Sequence, residues 1–358
     1  MPTIIYYRDN SYKNGIGSYV KGLANSGLRW QEKYDSNFGI DFNFFKDRLS
    51  GRFDYYIANT KGMIADVTVP ATTGFSTYVA NLGEAENKGW ELYLNSKVYH
   101  HSRNYVNVYA TVAHNKNTLK KISNSLRAWN DEQDATMLED GRTTPSIKYY
   151  EGCSMNAIWA VKSRGIDPQS GKEIFVKKDG RTTYIYDVND QVVCGDSQPK
   201  FNGNFGVNGE FKGIGFSLTT SYRWGGEIYN STLVNKVENA PIEYNVDRRV
   251  FTDRWQKPGD QTDIPRFVYG EPATSTNSSR YIHSTDHLRL KNFTLGFTLP
   301  NQWTQKLMID KVRIYFSGNN LLTWAKWKQY DPETPVNGEV FCEAPAMRTF
   351  SFGAQLSF

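Results

Sequence analysis

Apolar and polar residues alternate one by one along several stretches of this chain. Over 201–211 the odd positions carry Phe, Val or Gly, and the even positions carry Asn, Glu or Gly. Strict alternation is typical of a β-strand with one apolar and one polar face. After Lys212-Gly213 the alternation resumes over 214–224, so the two stretches predict a hairpin of long strands joined by a tight turn.

The same alternation predicts further strands at 90–95, 106–112, 312–317 and 350–358. Between 288–290 and 293–297 the apolar positions shift by one residue, which predicts a β-bulge near Lys291-Asn292. No segment shows a convincing helical period. The pattern therefore predicts an all-β protein.

The connections between the predicted strands alternate in length. The short links are 46–50, 99–104, 212–213 and 300–310, and the long ones are 60–85, 119–146, 225–285 and 322–346. Between 147 and 200 the alternation holds if 167–171 is a tight turn that joins strands at Trp159–Ile166 and Glu173–Lys177. Outer-membrane barrels have short periplasmic turns and long external loops, so we expect about eleven strands of an antiparallel transmembrane β-barrel.

Strand length distinguishes this barrel from a soluble β-sandwich, whose strands also alternate. Soluble strands usually have roughly 5–6 residues, whereas several strands here have about ten or more, enough to cross a bilayer at a tilt. Tyr and Trp also recur near the strand ends, as in interfacial aromatic girdles. These residues are Tyr99, Tyr222, Trp224, Trp303, Trp324 and Trp327.

Composition narrows the class of protein further. The 358 residues include 42 Lys+Arg and 37 Asp+Glu, and 15% are aromatic. This aromatic content argues against disorder, and no run approaches the ~18 apolar residues of a spanning helix. The basic residues are scattered, so we expect no nucleic-acid partner. Cys153, Cys194 and Cys342 form no CxxC pair and predict neither a zinc site nor a disulfide framework.

Catalytic and metal-binding motifs are mostly missing from the sequence. There is no HExxH, no GxSxG and no GxGxxG after a strand, so we expect no enzyme activity and no cofactor. His283 and His287 are four residues apart but lie in a loop that enters a strand, which does not favour a metal site. The acidic segments 187–190 and 331–333 lack the Gly and distant Glu of a calcium loop and are predicted to be turns.

Four aromatic residues in the long loops are candidates for substrate contact. Trp129 lies in 119–146, and Trp324, Trp327 and Tyr330 open 322–346. Flat rings stack on sugar faces while neighbouring polar groups bind the hydroxyls. For Trp324 and Trp327 the alternative is packing in the aromatic girdle, and for Trp129 both a substrate contact and a structural role remain open.

A series of motifs runs along most of the chain. The first two are LRWQEKYDSNFGIDFNFF and RLSGRFDYYIANTKGMI. Six more follow: TGFSTYVANLGEAENKGWEL, GDSQPKFNGNFGVNGEFKGIGFSL, RWQKPGDQTDIPRF, LRLKNFTLGFTLP, VRIYFSGNNLLTWAKWKQYDPE and PAMRTFSFGAQLSF. In sequence and in order these motifs resemble those of the SusC/RagA family of TonB-dependent outer-membrane receptors, with Asn204 where a second glycine is common. The resemblance extends from Leu28 to Phe358.

This resemblance implies a nutrient importer in the outer membrane of a Gram-negative bacterium. Such importers have a barrel of about 22 strands around an N-terminal plug, are driven by a TonB complex that pulls on the plug, and work with a SusD-like surface lipoprotein. Their substrates are oligosaccharides or, in the RagA branch, peptides. We expect residues 1–358 to be the C-terminal half of the barrel, without plug, TonB-contacting segment or signal peptide. The alternatives are a passive porin-like channel and an outer-membrane enzyme.

The last predicted strand resembles the signal that the barrel-assembly machinery reads. Its apolar positions include Phe350, Phe352, Leu356 and Phe358, and the alternative is a girdle position for Phe358. An open sheet in lipid leaves unpaired N–H and C=O groups that cost several kcal/mol each. We therefore expect strands outside this chain to pair with the strand that ends at Phe358, and outer-membrane lipid to cover the apolar face.

Overall fold

The computed structural model describes residues 10–12, 15–17, 25–68, 77–81, 83–102, 104–140, 148–240, 246–267, 277–304, 309–333, 339–342 and 344–357. Its main element is a nine-stranded antiparallel sheet in which each strand pairs with its neighbours in chain order. The strands are β1 (Glu32–Phe44), β2 (Leu49–Lys61), β3 (Gly83–His101), β4 (Asn104–Ile122), β5 (Phe201–Phe211), β6 (Ile214–Trp224), β7 (His287–Thr298), β8 (Lys311–Ala325) and β9 (Thr349–Ser357).

Smaller elements lie outside this sheet. Four further sheets contain Asn10–Tyr12 with Gly15–Gly17; Ile64–Thr68 with Thr77–Asn81; Ala157–Ile166 with Glu173–Val176, Thr182–Thr183 and Gln191–Asp196; and Glu227–Asn230 with Ile282–Ser284 and Glu339–Val340. The helical segments are α1 (Asn124–Asp140), Arg249–Thr252, Asn301–Thr304, a π-helical turn at Leu233–Glu238, and 3₁₀ turns at Val188–Asp190 and Ser279–Tyr281.

The strand register gives the main sheet one apolar and one polar face. Phe352, Phe316, Leu295 and Phe216 are direct partners on four consecutive strands. The neighbouring positions form a polar row, in which Ser351, Ser317, Thr294 and Ser217 are partners. The apolar face is open, with Phe352 82% and Leu295 44% exposed. A contiguous open apolar face is what lipid covers in a transmembrane barrel.

The predicted hairpin and bulge are confirmed. β5 and β6 pair in register from Phe201–Trp224 to Phe211–Ile214, across a turn at Lys212-Gly213. The β7–β8 register shifts between Leu290 and Asn292, and the β6–β7 register shifts at the facing position.

The connections between consecutive strands of the main sheet alternate between short and long, as predicted. The stretch 147–200 fits this alternation for a different reason from the predicted one. The short connections are 45–48, 102–103, 212–213 and 299–310, and the long ones are 62–82, 123–200, 225–286 and 326–348. The predicted turn at 167–171 exists, with the Gly171 N–H donating to the Asp167 carbonyl at 2.8 Å. The assignment of its two flanking strands to the barrel is wrong, because both belong to the four-stranded sheet within 123–200. Among the described residues the main sheet therefore has nine strands, where about eleven were expected.

The expectation that no segment is helical is also wrong. α1 has 17 residues and lies in the connection 123–200. It packs through Leu126, which is 3% exposed, against Ala85, Leu119 and Ile122. Of the α1 side chains that the structure describes, only Leu126 and Asn130 are buried, which is too few to give a clear helical period in the sequence. Among the described residues, no helix has the length and apolar character to cross a membrane.

Both edges of the main sheet are open in the described part of the chain. β1 has 13 residues and pairs only with β2, and β9 has 9 residues and pairs only with β8. Unpaired edge groups are costly in lipid. The pairing of these edges with strands outside this chain stays a prediction.

A close approach on β9 gives a testable prediction. Tyr315 and Gly353 are direct partners on β8 and β9, and a Cβ at Gly353 would lie 2.4 Å from Cζ of Tyr315. We expect Gly353→Ala to lower the unfolding free energy by about 1–3 kcal/mol, because the ring must move. Denaturant unfolding in lipid vesicles measures this effect. Ser351→Ala, on the same face of β9, is the matched control, and an equal loss in both variants would contradict the predicted clash.

Candidate functional site

Two adjacent cavities lie where the long connections 225–286 and 326–348 meet the ends of β7 and β8. The first cavity, of about 520 Å³, is lined by residues that include Arg289, Trp327 and Tyr330. The second cavity, of about 850 Å³, is lined by residues that include Arg280, His283 and Trp327. Trp327 therefore contributes to both cavities.

Trp327 and Tyr330 are held by contacts with the segment before β7. The Trp327 ring stacks on the His283 ring with centroids 3.8 Å apart and planes 11° apart. The Tyr330 hydroxyl donates to the Ser284 carbonyl at 3.0 Å, and burial raises the pKa of Tyr330 well above its usual range. The structure thus brings two of the four candidate aromatic residues together at the first cavity.

The other two candidates lie elsewhere. Trp324 pairs with Leu288 and is 54% exposed on the apolar face of the sheet, as a girdle residue would be. Trp129 lies on α1, where its ring is 5.5 Å from the ring of Tyr149 beside a buried apolar cluster. A substrate role for Trp129, Trp324, Trp327 or Tyr330 stays a prediction.

An ion-pair network fastens the start of 326–348 to the polar face of β7. Arg289 is 2% exposed, pairs with Asp331, and lies 2.9 Å from the Glu333 carboxylate through Nη1. Lys291 also pairs with Glu333, and Nε2 of His287 lies 3.3 Å from Oε1 of Glu333. Burial opposes ionisation of Glu333, but the hydrogen bonds from His287 and Lys291 and the charge of Arg289 outweigh it and hold its pKa at about 2.

A second buried network joins connection 123–200 to connection 225–286. Arg280 lies 2.6 Å from Glu238 and 3.1 Å from Glu173, and the three side chains are at most 8% exposed. The Tyr281 hydroxyl accepts from Arg280 at 2.6 Å and donates to Glu238 at 2.7 Å. Buried ion pairs and hydrogen bonds therefore hold connections 123–200 and 225–286 together beside the second cavity.

Neither network was found from the sequence, because the paired residues are far apart in the chain. Arg289 and Asp331, for example, are separated by 42 positions. One local signal was present: His287, Arg289 and Lys291 alternate with leucines, which places a histidine and two cations on the polar face of β7.

The two acidic segments form turns, as predicted. The Asp187 side chain accepts from the Asn189 backbone N–H at 2.9 Å and caps the 3₁₀ turn Val188–Asp190. Asp331 accepts from the Glu333 backbone N–H at 3.1 Å. In the described ranges, no group of three or more His, Cys, Asp or Glu is arranged to hold a metal ion.

The apolar residues of the predicted assembly signal lie along β9. Phe350, Phe352 and Leu356 are 61%, 82% and 51% exposed on the apolar face. Phe358 lies outside the described residues. Their role in barrel assembly stays a prediction.

The contact between His283 and Trp327 should weaken in acid. Burial and then the charge of Arg280 lower the pKa of His283 from 6.5 to about 4. The neutral His283 ring therefore stabilises this region fully above pH 6.5, and this stabilisation is lost as the pH falls to about 4. In that range His283 binds a proton when the region is unfolded but not when it is folded. This pKa difference corresponds to about 3 kcal/mol.

Hydrogen exchange of 282–286 and 325–331, corrected for intrinsic rates, measures the acid effect. Protection should fall over this pH range in the unmodified protein and stay level in His283→Phe. The comparison is made above about pH 4.5, because the stability that depends on ionised Glu333 begins to be lost only below that pH. A pH dependence that persists in His283→Phe would contradict the assignment to His283.

No protein-family model matches the chain. TonB-dependent receptor P3 of Formosa agariphila is 26% identical over 368 residues, which cover 96% of this chain and 36% of the receptor. TonB-dependent receptor SusC of Bacteroides thetaiotaomicron is 24% identical over 342 residues, which cover 93% of this chain and 32% of SusC. The chain is a relative of the TonB-dependent receptors. This relationship confirms the resemblance to the SusC/RagA family.

The fold agrees with this relationship. A structure described as the RagAB peptide transporter superposes with a TM-score of 0.79 and 25% identity, covering all of this chain and 38% of that chain. The nine-stranded sheet, open at both edges in the described residues, thus has the fold of part of that transporter. The chain spans about a third of the length of the curated relatives it matches. These relatives are named as receptors and transporters, which agrees with the expectation that the protein is not an enzyme.

Proposed function

We propose that this chain forms the C-terminal part of the barrel of an outer-membrane, TonB-dependent nutrient importer. The observation that carries the proposal is the match of the whole chain to the RagAB peptide transporter. Two features are consistent with it: the open apolar face of the sheet and the cavities among the long connections. The transported nutrient is an oligosaccharide or a similarly bulky solute.

The proposal includes the partners expected of such an importer. A SusD-like surface lipoprotein captures substrate above the long connections, as the pairing in the name RagAB suggests. A TonB complex supplies energy through a plug that other parts of the receptor provide. The barrel-assembly machinery inserts the barrel, with the apolar residues of β9 as its signal, and outer-membrane lipid covers the apolar face.

Uptake by cells tests this function. A strain in which the gene for the full receptor is deleted should lose uptake of the labelled oligosaccharide that the receptor binds, and the restored gene should recover it. Deleting TonB should abolish uptake while leaving the receptor in the outer membrane. Uptake that persists without TonB would contradict active import and favour the passive channel, whose polar lumen would be the polar face of the sheet.

A further inference from the structure

The described residues that line the first cavity carry an excess of positive charge. Its lining includes four cations, Arg249, Arg289, Lys328 and Arg348, and one acid, Asp331. The Asp331 carboxylate is already engaged, because it pairs with Arg289 and accepts the backbone N–H groups of Glu333 and Ala346 at 3.1 and 2.9 Å. The acid therefore offers no charge to a bound cation.

Two of the four cations are neutralised within the protein. Arg249 lies 2.8 Å from Asp247, and its Nη1 donates to Gln329 at 2.6 Å. Arg289 is shared between Asp331 and Glu333. Lys328 and Arg348 are exposed and have no ion-pair partner in the part of the chain that the structure describes. These two side chains leave the cavity with positive charge that attracts an anion.

The rest of the lining suits a sugar. Five neutral side chains with amide or hydroxyl groups line the cavity beside the rings of Trp327 and Tyr330: Asn230, Thr232, Asn320, Thr323 and Gln329. Amides and hydroxyls exchange hydrogen bonds with sugar hydroxyls, and aromatic rings pack on the C–H faces of sugars. This combination favours an acidic oligosaccharide over a peptide.

We propose that the first cavity binds the carboxylate or sulfate group of an acidic oligosaccharide, with Lys328 and Arg348 as the charged contacts. This inference rests on the proposed function and names the substrate class of the importer. Arg289 remains ion-paired with Asp331 and Glu333. The two exposed cations are therefore the groups that distinguish an acidic substrate from a neutral one of the same size.

Calorimetric binding to the purified full-length receptor tests the inference. The probes are a short oligogalacturonate, its uncharged methyl ester, a sulfated oligosaccharide of similar length and an acidic peptide. We expect the double variant Lys328→Gln/Arg348→Gln to bind at least one of the two anionic probes roughly tenfold more weakly, which is about 1.4 kcal/mol. The uncharged ester should bind weakly, and equally so, to the double variant and to the unmodified receptor. Added salt should weaken binding of the anionic probe to the unmodified receptor.

Lys326→Gln is the matched control, because Lys326 is an exposed lysine two positions away that does not line the cavity. It should bind all probes as the unmodified receptor does, and unchanged binding of the ester in the double variant shows that the cavity is intact. Equal binding of charged and uncharged probes would overturn the inference. So would charge-dependent binding of an acidic peptide without binding of either anionic oligosaccharide.

Failure of this inference and failure of the proposed function are distinguishable. If the receptor imports a neutral oligosaccharide with TonB but does not discriminate by charge, the importer stands and the acidic substrate is wrong. If it binds an anionic oligosaccharide through Lys328 and Arg348 but uptake is independent of TonB, the cavity assignment stands and active import is wrong.

Discussion

Replacing Arg280 by Met should destabilise the packing of connection 123–200 against connection 225–286 by about 3–5 kcal/mol. The substitution leaves Glu173 and Glu238, which are 3% and 0% exposed through their side chains, without their shared cation. Two buried carboxylates are then left without this counter-charge, and burying an unpaired charge is costly. The Tyr281 hydroxyl also loses its donor. Protease digestion and hydrogen exchange of 157–196 and 227–240 should show that this region opens while β1–β9 stay protected.

The control for this prediction removes the charges together. Arg280→Met combined with Glu173→Gln and Glu238→Gln removes the charges of all three paired side chains, and replacing all members of a buried ion pair is often nearly neutral. We expect the triple variant to recover most of the lost protection. Arg181→Met is a surface control, since Arg181 pairs with Asp179 on an exposed turn, and the loss of an exposed ion pair should leave the protection nearly unchanged. Equal protection in Arg280→Met and Arg181→Met would contradict the structural importance of the network.

The main sheet was largely predictable because its residues alternate over long runs. The β5–β6 hairpin and the bulge at Leu290–Asn292 follow from the phase of the apolar positions alone. The strand at Ala157–Ile166 was assigned to the wrong sheet, because alternation identifies a strand but not its partner. Besides the predicted Glu173–Val176, it pairs with Gln191–Asp196, a segment that lies later in the chain and does not alternate apolar with polar residues.

The candidate site was only partly predictable. Trp327 and Tyr330 were singled out as aromatic residues in a long loop, and both line the first cavity. Lys328 and Arg348 were not singled out, because a lysine beside a tryptophan and an arginine before a strand are common on any surface. Lys328 and Arg348 give the cavity a net positive charge only because Arg289 pairs with Asp331. That pair joins residues far apart in the chain, so sequence spacing does not predict it.

The largest effect on the barrel itself is expected from Phe205→Arg. Phe205 lies near the middle of β5, is 41% exposed on the apolar face, and its ring is 6.4 Å from that of Tyr222. An arginine on the lipid face near the bilayer midplane costs about 2–4 kcal/mol. The loss of the Phe205 ring adds to this cost, because its contact with the neighbouring strand disappears. The variant should fold poorly and reach the outer membrane in reduced amounts.

Asn204→Arg is the control that makes this result decisive. Asn204 is the preceding residue of β5 and lies on the polar face, where an arginine stays in water. We expect its unfolding free energy in lipid vesicles to stay within about 0.5 kcal/mol of the unmodified receptor. Because both variants gain the same charge at adjacent positions of one strand, only the direction of the side chain differs. If Asn204→Arg were as damaging as Phe205→Arg, the polar face could not line a hydrated lumen, and the apolar face would not be the one that contacts lipid.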